Sequence, residues 1–152
     1  MAREGFVLTK ELIARAALWV IKMMESSEKF FAEYANQGLG ICVVDKDKEP
    51  LYQLSFKVEK WPSGVDFSQK AEKIARMICR EKKNSKNLSL TPARIKKGDH
   101  IGPGGIWSSE CDLGIGVYGF LQKYINDEVA RHFLVKIKAL CDIDFDKKQN
   151  IT

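Results

Sequence analysis

The chain has 152 residues, 45% hydrophobic and 30% charged, and carries a net charge of +5. That length and balance suit a single globular domain over residues 1–152, able to bury a core at about 8–134 without disulfides or metals, with a polar, frayed tail at 142–152. Met1-Ala2-Arg3-Glu4 is not a secretory leader and no run approaches the roughly 20 apolar residues of a bilayer span, so a cytoplasmic protein without a membrane partner is expected.

Thr9 is placed to cap a first helix. Its apolar positions Leu12, Ile13, Ala16, Trp19, Val20, Met23 and Met24 recur at helical spacing and form one buried face. A second helical stretch, residues 28–36, carries Phe30, Phe31 and Tyr34 and is stopped by Gly38 and Gly40. Residues 39–44 are apolar and β-branched, as in a central strand. The polar segment 45–50 leads into the looser alternation of 51–56, giving a hairpin whose second strand opens at Pro50. Trp61-Pro62-Ser63-Gly64 is a loop. From Asp66 or Ser68 a helix runs to near Lys83 with Ala71, Ile74, Ala75 and Ile78 on one face.

Residues 84–103 have no clear period and read as a long irregular connection. A second hairpin joins 105–108 to 113–121 through the turn 109–112. Its second strand contains Gly114, Gly116 and Gly119, and glycine weakens a strand unless another backbone or a ligand must come close. Asn126 is expected to cap a last helix with Val129, Phe133, Ile137 and Leu140 facing inward. Helix, hairpin, helix, long loop, hairpin, helix makes an α+β layout: one antiparallel sheet with helices packed against it.

Cys42, Cys79, Cys111 and Cys141 are too far apart for a local zinc motif and read as small buried hydrophobes, except Cys111, whose polar turn Ser109-Glu110-Cys111-Asp112 is expected to expose its thiol. Residues 57–97 hold twelve Lys or Arg against four Asp or Glu. The most basic part, 80–86, lacks the aromatic residues that stack on bases, so it reads as a solvated helix end and not as a nucleic-acid surface. Gly98, Gly102, Gly104 and Gly105 cluster around His100. They precede a strand, whereas phosphate-cradling glycine loops precede a helix N-terminus, so nucleotide binding is disfavoured. What is left is a flexible loop with exposed N–H groups and one imidazole, able to border a cleft.

The helix opening at Leu8-Thr9, the strand Gly40-Ile41-Cys42-Val43-Val44-Asp45, the helix with Lys70-Ala71 and Ile74-Ala75, the loop Pro103-Gly104-Gly105 and the strand Leu113-Gly114-Ile115-Gly116-Val117-Tyr118-Gly119 together resemble the GlcG-like, haem-degrading family. That family includes HbpS and the C-terminal domain of PduO-type corrinoid adenosyltransferases. The resemblance covers roughly residues 8–134 and implies a profilin-like sandwich, a homo-oligomer, and haem, a corrinoid or another small molecule as ligand.

His100, Gly102, Gly104, Gly105 and Trp107 are the expected ligand-binding residues, with Trp61 and Tyr118 as further aromatic candidates; His132 reads as a satisfied or exposed helical histidine. No catalytic residue is assigned and the metal is unknown, because Ser108, Ser109, Cys111 and His100 match no triad spacing and Glu110 and Asp112 read as turn residues. Three functions stay open: a non-catalytic binding module, which is favoured; a small-metabolite enzyme using His100 or Cys111; and an assembly protein whose glycine-rich strand packs on a neighbouring subunit.

Overall fold

The computed structural model describes residues 8–26, 39–45, 50–56, 67–88, 91–97, 102–119 and 123–150. In chain order these form helix α1 (Lys10–Ser26), strands β1 (Leu39–Asp45) and β2 (Pro50–Phe56), helix α2 (Phe67–Glu81), a 3₁₀ turn (Ser85–Asn87), helix α3 (Pro92–Lys97), strands β3 (Gly105–Ser108) and β4 (Leu113–Gly119), and helix α4 (Lys123–Asn150). The strands make one antiparallel sheet in the order β2-β1-β4-β3. The α+β layout is therefore as expected, with three long helices on a four-stranded sheet.

Alternation along the two central strands sorts side chains into two layers. Leu39, Ile41 and Val43 of β1 join Leu113, Ile115 and Val117 of β4 in the larger core, packed by α1 and α4 through Leu12, Ile13, Ala16, Val20, Val129, Phe133 and Ile137. Cys42 and Val44 point the other way, onto Ala71, Ala75 and Cys79 of α2. Both faces of the central strands are thus covered, which is why residues 39–44 read as a continuous apolar run rather than an alternating one.

Glycines set the distance between the second layer and the sheet. A Cβ on Gly116 would lie 2.1 Å from the Ala71 carbonyl oxygen, and one on Gly114 would lie 2.6 Å from that of Ala75. On β1, a Cβ at Gly40 would stand 2.1 Å from the Phe67 carbonyl oxygen. Phe67, Ala71 and Ala75 follow one another at four-residue intervals along one line of α2, so the helix backbone itself rests on the glycine positions of β1 and β4. Gly40 therefore lies inside a strand, where it admits a helix.

Local chemistry accounts for the element ends. The Thr9 hydroxyl accepts from the Leu12 N–H at 3.1 Å, the expected cap of α1. Lys82, at φ 54, closes α2 in the left-handed conformation that commonly falls to glycine. Pro50 opens β2 beside an irregularity that pairs it with Val44 while Tyr52 pairs with Val43.

Four expectations need correction. Trp19 is 41% exposed, its ring beneath the Lys136 ammonium at 4.8 Å, and Ala17 takes the buried place beside Ala16. The connection 84–103 contains both the 3₁₀ turn and α3, two pieces too short to show a period. Helix α4 begins three residues before Asn126, which is buried within it, and its backbone stays helical to Asn150 instead of fraying from 142. Cys111 is buried (2% exposed). The helix expected at 28–36 and the loop at 61–64 lie outside the described residues.

Candidate functional site

The loop entering β3 is tied down from two sides. Gly102 and Gly104 hold φ values of +127 and +126, a conformation that side chains other than glycine's rarely accept. Ser85, fully buried in the 3₁₀ turn, is the first anchor. Its hydroxyl donates to the Gly102 carbonyl and accepts from the Gly105 N–H at 2.8 Å, while the Ser85 carbonyl accepts from the Gly102 N–H at 3.3 Å. Asp127 of α4 is the second: its Oδ1 accepts from the Gly104 N–H at 3.0 Å. The Gly104 carbonyl in turn accepts from the Val117 N–H of β4.

The N–H groups of all three glycines are therefore bonded within the protein, and the loop is held in shape. At these three positions that corrects the expectation of exposed N–H groups; residues 98–101 lie outside the described residues. Pro103 has no N–H to give. What the loop presents outward is the flank of Gly102, where an added Cβ would meet nothing within 4 Å. Gly105 is different: it is buried, and an added Cβ would meet the Ile78 side chain at 2.6 Å.

Trp107 is half-buried, with its ring against the α2 layer and its backbone N–H donating to the Asn84 side-chain oxygen at 2.8 Å. Tyr118 sits on the same layer, 5.9 Å from Phe67 between ring centroids and 5.3 Å from the Lys70 ammonium. His100 and Trp61 lie outside the described residues. His132 is exposed on α4 with Nε2 3.9 Å from Glu128, in keeping with the helical reading.

Asp127 also carries the electrostatics. Its side chain is 8% exposed, and its Oδ2 lies 3.4 Å from Lys86 Nζ and 3.3 Å from Arg131 Nη2. A carboxylate this buried needs charge partners and hydrogen bonds together, and it has both. Cys111 offers little as a nucleophile, because burial pushes its thiol above the usual range despite the Ser108 hydroxyl beside it. Ser108 is itself buried, its Oγ accepting from the Cys111 N–H at 3.1 Å. Among the described residues, no three His, Cys, Asp or Glu side chains converge to hold a metal ion.

The anchors Ser85, Asn84 and Asp127 carried no sequence signal. Ser85 and Asn84 sit in the basic run that reads as solvated, and Asp127 follows an asparagine that reads as a cap. Only long-range pairing, 17 to 23 residues apart, reveals them.

No family model matches the chain, and no curated relative matches it by sequence. Its fold does match solved structures. A doubly substituted form of HbpS from Streptomyces reticuli is 19% identical, with a TM-score of 0.58, over 89% of this chain and 93% of that one. The ORFY protein of Klebsiella pneumoniae gives 16% identity and a TM-score of 0.62 over 91% and 97%. PduOC, solved in complex with haem, gives 14% and 0.56 over 90% and 95%. At these identities the likeness is one of fold, and it reaches the same proteins that the sequence motifs resemble.

Proposed function

We propose that the chain is a small-molecule-binding module that takes a tetrapyrrole, haem or a corrinoid, in a cleft bordered by the glycine loop, with His100, Gly102, Gly104, Gly105 and Trp107 as its lining. A non-catalytic role, or one accessory to metabolism, and a cytoplasmic homo-oligomer belong to the same proposal. The observation that carries it is the fixed loop at Gly102, open on its outer flank and anchored on its inner side, on a fold shared with a protein solved with haem. A shaped, pre-formed rim binds without the entropy cost of ordering it first.

Among the histidine and cysteine candidates for an axial ligand to haem iron, the four cysteines are buried and His132 is exposed beside Glu128. His100 is accordingly proposed for that role, two residues ahead of Gly102 in the sequence. A visible-absorption titration with hemin, repeated with cobalamin, tests the proposal. A saturable, shifted Soret band that disappears in His100→Ala is expected. No specific change with either compound would overturn the tetrapyrrole proposal.

A further inference from the structure

We infer that Lys86 and Arg131, gathered on the buried carboxylate of Asp127, form an oxyanion-recognition site at the rim of the glycine loop. Identifying that oxyanion as a propionate carboxylate of bound haem rests on the haem reading of the ligand-binding proposal above.

Asp127 is nearly buried, and one of its oxygens is occupied by the Gly104 N–H. A single cation on the other oxygen would neutralise it. Two stand there, Lys86 from the 3₁₀ turn and Arg131 from α4, at 3.4 and 3.3 Å. Among the described residues the local balance is thus positive by one charge, and it lies at the outer edge: the carboxylate is 8% exposed, the Lys86 and Arg131 side chains 39% and 48%.

The nearest acidic residue in sequence does not cancel this surplus. Glu128 is exposed and stands 3.9 Å from His132 further along α4. The stretch that supplies Lys86 adds to the field, since Arg80, Lys82 and Lys83 are exposed just before it and Glu81 is the one acidic residue among them.

Geometry then points to the ligand's charge. Both cations are placed by the same carboxylate that fixes Gly104, so they keep a set position relative to the open flank of Gly102. An ammonium and a guanidinium side by side, each retaining donors that Asp127 does not use, suit the two oxygens of a carboxylate. Haem seated against the loop would bring its two propionate carboxylates to this rim.

Hemin and its dimethyl ester differ only in those carboxylates, so parallel absorption titrations of the two isolate the rim. The wild type should bind hemin about tenfold more tightly than the ester, in line with charge-assisted hydrogen bonds. Lys86→Gln and Arg131→Gln each leave Asp127 one cation, so the fold is retained. Each should weaken hemin binding several-fold and leave the ester unchanged. Equal affinity for both compounds in the wild type would overturn the site while leaving the ligand-binding proposal intact. If neither compound binds, the haem reading of that proposal fails, and a citrate titration followed by the backbone amide NMR signal of Gly104 decides the site alone. A saturable shift that either variant weakens would uphold it; no shift would overturn it.

Discussion

Cys42 faces α2 from the middle of β1, and burial pushes its thiol from 9.0 up to about 12, with the Glu72 carboxylate adding to the rise and Arg76 opposing it. In the unfolded chain the same thiol ionises near 9.0. Between those values the folded chain keeps a proton that the unfolded chain gives up. The stability contributed by this group is therefore complete below pH 9 and is lost as the pH rises through about 12. Urea midpoints measured from pH 8 to 11 should fall more steeply for the wild type than for Cys42→Ala, whose baseline is lower but whose slope lacks this component. Parallel slopes would mean that the thiol is not held neutral by the fold. The neighbouring thiol of Cys79 is also bound inward, 3.2 Å from the Val44 carbonyl. Both belong to the buried layer between α2 and the sheet.

At the scale of elements, the α2–sheet contact depends on residues that lack side chains. Gly116→Ala would press a methyl group into the Ala71 carbonyl, and backbone cannot swing aside as a long side chain can. The substitution should cost about 1–3 kcal/mol, as overpacking of a filled interior does, read as a lower urea midpoint with little change in the slope of the transition. An unchanged midpoint would mean that α2 rides higher over the sheet. This contact also marks how far the sequence was legible. Periodicity placed α1, α2, both hairpins and the inward face of α4, because each long element has an apolar stripe at its own period. Glycine in β4 signalled a close approach, and that approach turned out to be a helix backbone. The turn of Cys111 was misread because polar neighbours say nothing about the direction of the residue between them. The short 3₁₀ turn and α3 were missed because three and six residues hold too little pattern. The anchors of the loop were missed for another reason: Ser85 and Asp127 act through bonds that only the folded chain brings together.

For the molecule as a whole, fold and function separate cleanly. Architecture shared with HbpS, ORFY and PduOC shows the fold alone, while the proposed ligand site rests on a handful of side chains at one edge. That edge brings together β3, the 3₁₀ turn and the N-terminal part of α4, whereas the α1–α4 face on the other side carries the exposed Leu18, Trp19 and Val135. The measurement that tests the central claim most directly is the loss of backbone amide NMR signals on adding hemin, whose paramagnetic iron broadens nearby resonances. Broadening confined to residues 98–107 and the facing amides around Ser85 and Asp127 is the predicted result. Broadening centred on Leu18, Trp19 and Val135, or none anywhere, would contradict a ligand site at the glycine loop.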